Sequence, residues 1–155
     1  MAIRNILMEG NPRLRLKSRP VEEVTPKILE LLDDMAQTMY DAKGLGLAAP
    51  QVGVLRRVAV IDVGDGIIEL INPVIVRAEG EQRQEEGCLS VPDISGIVIR
   101  PFRVTVQAMN RRGKKFKIKG EGLLAKALCH EIDHLNGILF IDKMIARTDK
   151  ANGKK

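Results

Sequence analysis

His130-Glu131-Ile132-Asp133-His134 is the stretch on which the reading of this chain turns. It is preceded by Leu123-Leu124-Ala125-Lys126-Ala127-Leu128-Cys129 and followed by Leu135-Asn136-Gly137. The two histidines are the only ones in 155 residues. Four positions are just over one helical turn, so on a helix both imidazoles leave one face and can grip a single metal ion. Glu131 lies beside them, where it can handle the proton of a metal-bound water. This H-E-x-x-H arrangement points to metal-assisted hydrolysis rather than to polar residues on a solvated helix face.

The flanks support the helix. Leu123, Leu124, Ala127, Leu128 and Leu135 recur at helical spacing, with Gly122 near the start and Gly137 just past the end as a stop. At about 100° per residue, Leu124, Leu128 and Leu135 form the stripe expected to meet the core, while Leu123 and Ala127 share the histidine face. Apolar surface beside a metal is what a pocket for an apolar side chain requires. Cys129 projects about 120° away from the histidines, so it reads as a small buried residue and not as a ligand.

Two imidazoles do not hold a catalytic metal alone. A third protein ligand is expected, with one position left open. Nothing after His134 is Glu or His, and the only carboxylates there are Asp142 and Asp149. The ligand is one of those two or comes from upstream. There the best candidate is Cys88, in Glu85-Glu86-Gly87-Cys88-Leu89-Ser90-Val91-Pro92. Gly87 permits close backbone approach, and a thiolate suits zinc or ferrous iron. A closed structural zinc site would need all four Cys and His residues of the chain, including the misdirected Cys129. The pattern therefore argues for an open, catalytic centre.

Three segments together resemble the peptide deformylase family: Gly44-Leu45-Gly46-Leu47-Ala48-Ala49-Pro50-Gln51-Val52-Gly53, Glu86-Gly87-Cys88-Leu89-Ser90, and His130-Glu131-Ile132-Asp133-His134. They come in the family's order, and Ile6-Leu7 with Asn11-Pro12-Arg13-Leu14-Arg15 is also similar to it, so the resemblance spans nearly the whole chain. It implies removal of the formyl group from the N-terminal formylmethionine of newly made polypeptides. It also implies a metal held by Cys88, His130 and His134, with Glu131 as proton carrier. Gln51 and the backbone N–H of Leu89 would stabilise the oxyanion. Leu45, Gly46 and Gly87 would flank the peptide backbone, and the methionine side chain would lie over Leu123 and Ala127. The implied metal is one divalent ion, Fe²⁺ in the cell, although the ligand set suits Zn²⁺ equally. Two departures are visible. Cys129 stands where many members resemble one another in carrying Gln. The chain ends soon after Ile145, so a long C-terminal helix of the kind some members use for ribosome docking is not expected.

The segment Gly44-x-Gly46-x-x-Ala49 also fits a loose dinucleotide fingerprint, which needs a strand before the glycines and a helix opening at them. The sequence offers the reverse. Thr25-Pro26 is a cap and first-turn pair, and Ile28, Leu32, Met35 and Met39 make a helical stripe ending near Gly44. Pro50 interrupts any helix that would follow. A flexible turn bringing backbone and Gln51 close to a substrate is expected instead.

Between the two helices the chain reads mostly as strands. Arg57–Asp62 and Ile67–Ile71 are joined through Gly64 and Gly66. Phe102, Val104, Val106 and Ala108 alternate with polar residues, as do Phe116 and Ile118 after the Arg111-Arg112-Gly113 turn. The expected fold is α+β, with mostly antiparallel strands around a central metal-binding helix and an N-terminal helix. Residues 1–155 are read as one catalytic domain. No apolar run approaches the roughly 18–20 residues that span a membrane, and no secretory signal pattern opens the chain. Two cysteines, one committed to metal, suggest a reducing, cytoplasmic setting.

The net charge is +5, with Arg111, Arg112, Lys114 and Lys115 at a hairpin and Lys150, Lys154 and Lys155 in the tail. A solvated turn and a frayed terminus account for these. One tyrosine and no tryptophan leave little for base stacking, so sequence-specific nucleic-acid recognition is not expected, whereas weak attraction to the ribosome is compatible. A small zinc endopeptidase would share the helix but give Cys88 and Gln51 no role. A metal-stabilised, non-enzymatic RNA-binding protein is the third reading. Glu86 is expected to pair with Arg100, as a brace behind the site or as a plain surface ion pair.

Overall fold

The structure is a computed structural model that describes residues 2–149. Its first helix, α1 (Pro26–Asp41), opens as the sequence dictates. Thr25 is the cap, its side chain accepting from the N–H of Ile28, and Pro26 occupies the first turn, where its missing donor costs nothing. Leu31, Leu32, Met35 and Met39 are buried along one stripe. The second helix, α2 (Leu123–Leu135), carries both histidines in its last two turns.

Eight strands make two antiparallel sheets. The larger has the order β1 (Gly46–Ala48), β2 (Val58–Ile61), β3 (Ile68–Glu79), β6 (Arg103–Met109), β7 (Lys115–Glu121). The smaller has the order β4 (Gln82–Cys88), β5 (Val91–Arg100), β8 (Met144–Arg147). One face of the larger sheet, through Ala59, Ile61, Leu70, Val104, Val106 and Ala108, packs on Leu128, Ile132 and Leu135 of α2. The opposite face, through Val58, Val60 and Ile71, packs on α1. A third, smaller cluster of Leu14, Val91, Val98, Leu139 and Phe140 lies against the three-stranded sheet. Antiparallel strands thus pack around α2, the expected α+β arrangement. Close packing depends on Gly120 of β7, where a Cβ would stand 2.8 Å from Leu124 Cγ and 3.0 Å from Leu128 Cδ1.

Several local expectations are corrected. The Gly44–Gly53 motif is not a flexible turn. Gly46–Ala48 pairs with β2 in register from Gly46 with Ile61 to Ala48 with Ala59. Ala49–Val52 then forms one 3-10 turn, and Ala48, Ala49, Pro50 and Gln51 are buried. Its small apolar residues are what let it pass between two helices. The hairpin arginine Arg111 is not simply solvated, since its guanidinium bonds Glu69 at 2.9 and 2.6 Å and Asp33 at 2.7 Å, tying β3 to α1. Strand β3 runs beyond Ile71 to Glu79, and the whole three-stranded sheet was not anticipated. The basic tail residues Lys150, Lys154 and Lys155 lie outside the described residues. Among the described residues, no helix is long and apolar enough to cross a membrane.

Candidate metal centre and pocket

The helical spacing of His130 and His134 puts their rings 5.0 Å apart, edge to face, in the buried last turns of α2. His130 is anchored from outside the helix, whereas the Nδ1 of His134 is buried without a hydrogen-bond partner among the described residues. The Nδ1–H of His130 donates to Glu86 Oε1 at 2.9 Å, and its ring stacks on Phe140 at 6.1 Å. The helix end that carries His134 is closed by Arg57, whose guanidinium donates to the Leu135 carbonyl at 3.0 Å, where cationic groups are favourable.

Cys88, at the end of β4, lies with its Sγ 3.2 Å from His134 Nε2. One donor atom each from Cys88, His130 and His134 falls within 4.8 Å of the others. The two other residues considered are committed elsewhere. Asp142 pairs with Arg15 and accepts from the Leu139 N–H at 2.9 Å, while Asp149 pairs with Arg147. Cys129 is buried in the core beneath the five-stranded sheet, and burial pushes its thiol up to about 11.

Behind the histidines stands a charge network that sequence left undecided between brace and surface pair. Arg100 of β5 and Glu86 of β4 are both 3% exposed. Arg100 grips Glu86 with two bonds of 2.8 and 2.9 Å and reaches Asp133 on α2 at 2.6 Å. Burial works against the Glu86 carboxylate, but hydrogen bonds from Arg100 and His130 outweigh it and hold the group down at about 2. The result is a permanently ionised acceptor that fixes which nitrogen of His130 faces the site.

Glu131 has the opposite environment. Burial raises its carboxyl to about 7, partly offset by attraction to His130. Its Oε1 is buried without a hydrogen-bond partner among the described residues. Its Oε2 rests on Gly46, where a Cβ would stand only 2.5 Å away, so any side chain at 46 would displace it. Gln51 is held at both ends. Its Oε1 accepts from the Ala48 N–H at 2.9 Å, and its Nε2 donates to the Ser90 hydroxyl at 3.1 Å, leaving the amide 3.6 Å from Cys88 Sγ. The N-terminal segment ties these pieces together, with Leu7 N–H bonded to the Gln51 carbonyl and Glu9 N–H to the Ser90 carbonyl, each at 2.7 Å.

All of these groups meet at one pocket of about 430 Å³. Leu45, Gly46, Gln51, Gly87, Cys88, Leu89, Leu123, Ala127, His130 and Glu131 line it, and His134 lies just beneath, 1% exposed. The sequence reading missed Ser90, Asp133, Phe140 and the pocket-lining Lys126. Asp133, three positions after His130, carried the one usable signal, because a helical residue at that spacing lies on the same side as the first histidine.

The comparisons with known proteins agree with one another. The family model described as polypeptide deformylase matches residues 3–150. The chain is 60% identical over 150 residues to a peptide deformylase of Acetivibrio thermocellus, covering 97% of this chain and 88% of that protein. Among solved structures, a Legionella pneumophila peptide deformylase aligns at 51% identity with a TM-score of 0.90, covering 92% of this chain and 86% of the other. One from Thermotoga maritima aligns at 39% identity with a TM-score of 0.91, covering 93% and 99%.

Proposed function

The chain belongs to the polypeptide deformylase family, and from that premise we propose how its own residues remove the formyl group from the N-terminal formylmethionine of nascent polypeptides. The relatives give no support to an endopeptidase or to a non-enzymatic RNA-binding protein. The observation that carries the reading is the convergence of a thiol and two imidazoles beside a buried, partnerless carboxylate oxygen in one pocket.

The donor set fits a divalent ion. It offers one sulfur and two nitrogens, with His130 already oriented through its other nitrogen, and three protein ligands leave a position open. Cys88, His130 and His134 would hold the ion. When bound, it supplies Lewis-acid polarisation of the formyl carbonyl and makes water a better nucleophile near neutral pH.

The remaining work belongs to side chains and backbone. Glu131, through Oε1, takes a proton from the attacking water as its oxygen bonds to the formyl carbon. Glu131 then gives that proton to the departing α-amino nitrogen as the C–N bond breaks, leaving formate and a free N-terminus. A carboxyl lifted to about 7 can both accept and return a proton near neutrality. The Gln51 amide and the Leu89 N–H donate to the developing oxyanion, and a well-aligned donor of this kind lowers the barrier by roughly 3 kcal/mol. Strands β1 and β4 are edge strands of different sheets, so the peptide can lie as an extended strand between Leu45-Gly46 and Gly87. The methionine side chain packs on Leu123 and Ala127. This apolar contact disfavours a basic first residue most, since Lys126 also lines the pocket.

The family resemblance implies Fe²⁺ as the working metal in the cell and Zn²⁺ as a less active form; zinc, having no redox chemistry, should be the air-stable one, because an open iron–thiolate site is oxidisable. The substrate places the enzyme in the cytoplasm beside the ribosome. The test is to load metal-free protein anaerobically with each metal and assay formate released from a formylmethionyl peptide before and after aeration. A zinc form at least as active as the iron form, with equal stability in air, contradicts the iron assignment. Absence of formate from both contradicts the activity.

A further inference from the structure

Lys126 stands in the pocket wall without a part in the chemistry. It is the only lysine or arginine among the residues that line the pocket. Helix α2 places it one turn before His130 and beside Leu123 and Ala127, so it shares the rim on which the methionine side chain packs. Its side chain crosses from α2 to β4, where Nζ donates to the Glu85 carbonyl at 3.0 Å. That is its one hydrogen bond among the described residues, and an ammonium carries three donors. The carboxylates on that stretch of β4 do not neutralise it. Glu86 is taken by Arg100 and His130, and Glu85 accepts from the Thr148 hydroxyl at 2.5 Å. Among the described residues no carboxylate pairs with Lys126.

The path of the peptide decides which part of the substrate meets this ammonium. With the formyl oxygen at the Leu89 N–H and the first residue beside Gly87, the chain leaves along β4 toward lower residue numbers. Side chains of an extended strand alternate, and residues two apart stand about 6.6 Å from each other on one face. Glu85 is likewise two positions from Gly87. The third residue therefore comes opposite Glu85, with its side chain on the same face as the first, toward α2. The second side chain points the other way.

We propose that Lys126 determines specificity by pairing with a carboxylate side chain at the third position of the substrate. Nascent chains with Asp or Glu there are deformylated in preference to those with Lys or Arg. The proposal rests on the deformylase reading and deepens it. Lys126 is half-buried at an open rim, so the preference is a few-fold in rate and is screened by salt.

The test compares kcat/KM for formate release on formyl-Met-Ala-Xaa-Ala peptides with amidated C-termini, so that only the third side chain differs in charge. With metal-loaded wild-type protein at low salt, Glu at Xaa should exceed Gln by about threefold and Lys by about tenfold. The gap should close in about 1 M KCl. Lys126→Met should abolish the ranking, Lys126→Arg retain it and Lys126→Glu reverse it. If Lys126 serves only to tie α2 to β4, Lys126→Met lowers all the peptides by one factor and leaves their ratios untouched. That result overturns the proposal. So does a wild-type protein indifferent to the residue at Xaa, a comparison that requires no variant to fold. A preference for Glu at the second position and not at the third overturns the assignment to the third residue. Formate from none of the peptides, the Gln one included, removes the deformylase reading and the proposal with it.

Discussion

The five-stranded and three-stranded sheets meet at one pocket but bring unlike things to it. The larger sheet buries apolar side chains on both faces and carries α2, so it supplies both histidines, Glu131 and, next to its edge strand, Gln51. The smaller sheet has little core of its own and supplies charge and sulfur: Glu86, Cys88 and Arg100. Arg100 is the link, since it sits on β5, holds Glu86 of β4 and reaches Asp133 of α2. The difference teaches that apolar packing comes mainly from one side of the cleft and charge and sulfur from the other, and that a few buried ionic contacts join the two.

The sharpest way to separate the two sides is through Glu131, which α2 carries on the larger sheet's side of the cleft. Glu131→Ala should keep its metal and its fold yet lose hydrolysis by at least roughly a hundredfold, the lower range for general acid–base work. Metal analysis and formate assays on one sample check this. Near-normal turnover would remove Glu131 from the mechanism.

The link itself comes next. Arg100→Ala leaves Glu86 buried without its cation, while Asp133 keeps Lys143 at 3.1 Å, and loss of one partner of a buried pair costs about 3–5 kcal/mol. Urea unfolding should show a loss of that size. A loss under about 1 kcal/mol would mean the two sheets are held together by apolar packing instead.

A smaller effect should appear as a pH dependence confined to the three-stranded side. Glu86 is held at about 2, below its ordinary value of 4.5. A depressed carboxylate stabilises the fold fully above the unfolded value, and that contribution is lost as pH falls from 4.5 toward 2. The span corresponds to about 3 kcal/mol. Between pH 6 and pH 3, metal-free wild-type protein should therefore lose more stability than Glu86→Gln. Parallel losses in the two proteins would show that Glu86 does not set the acid limit.

The same contrast explains what could be read from sequence. Strands β2, β6 and β7 announce themselves because their inward residues meet a helix and must be apolar, as with Val104, Val106 and Ala108. Strand β4 reads Gln82-Arg83-Gln84-Glu85-Glu86, with no apolar alternation, because it is an edge strand whose buried position serves Arg100 and His130. Strand β1 is three residues long, too short to show a period. The H-E-x-x-H motif was legible because helical geometry is local. The roles of Ser90, Asp133 and Phe140 were not, since each depends on a partner distant along the chain: Gln51, Arg100 and His130. Arg111 was misread for the same reason, its partners being Glu69 and Asp33.

The central claim is that the smaller sheet closes, through Cys88, a metal site begun by the two histidines of α2. Cobalt(II) loaded into the metal-free protein tests it most directly, because thiolate coordination gives a near-ultraviolet charge-transfer band that imidazole and carboxylate ligands do not. The wild-type protein should show the band, Cys129→Ala and Asp142→Ala should retain it, and Cys88→Ala should lose it together with most of its affinity for the ion. A band that survives in Cys88→Ala, or disappears in Cys129→Ala, would contradict the account.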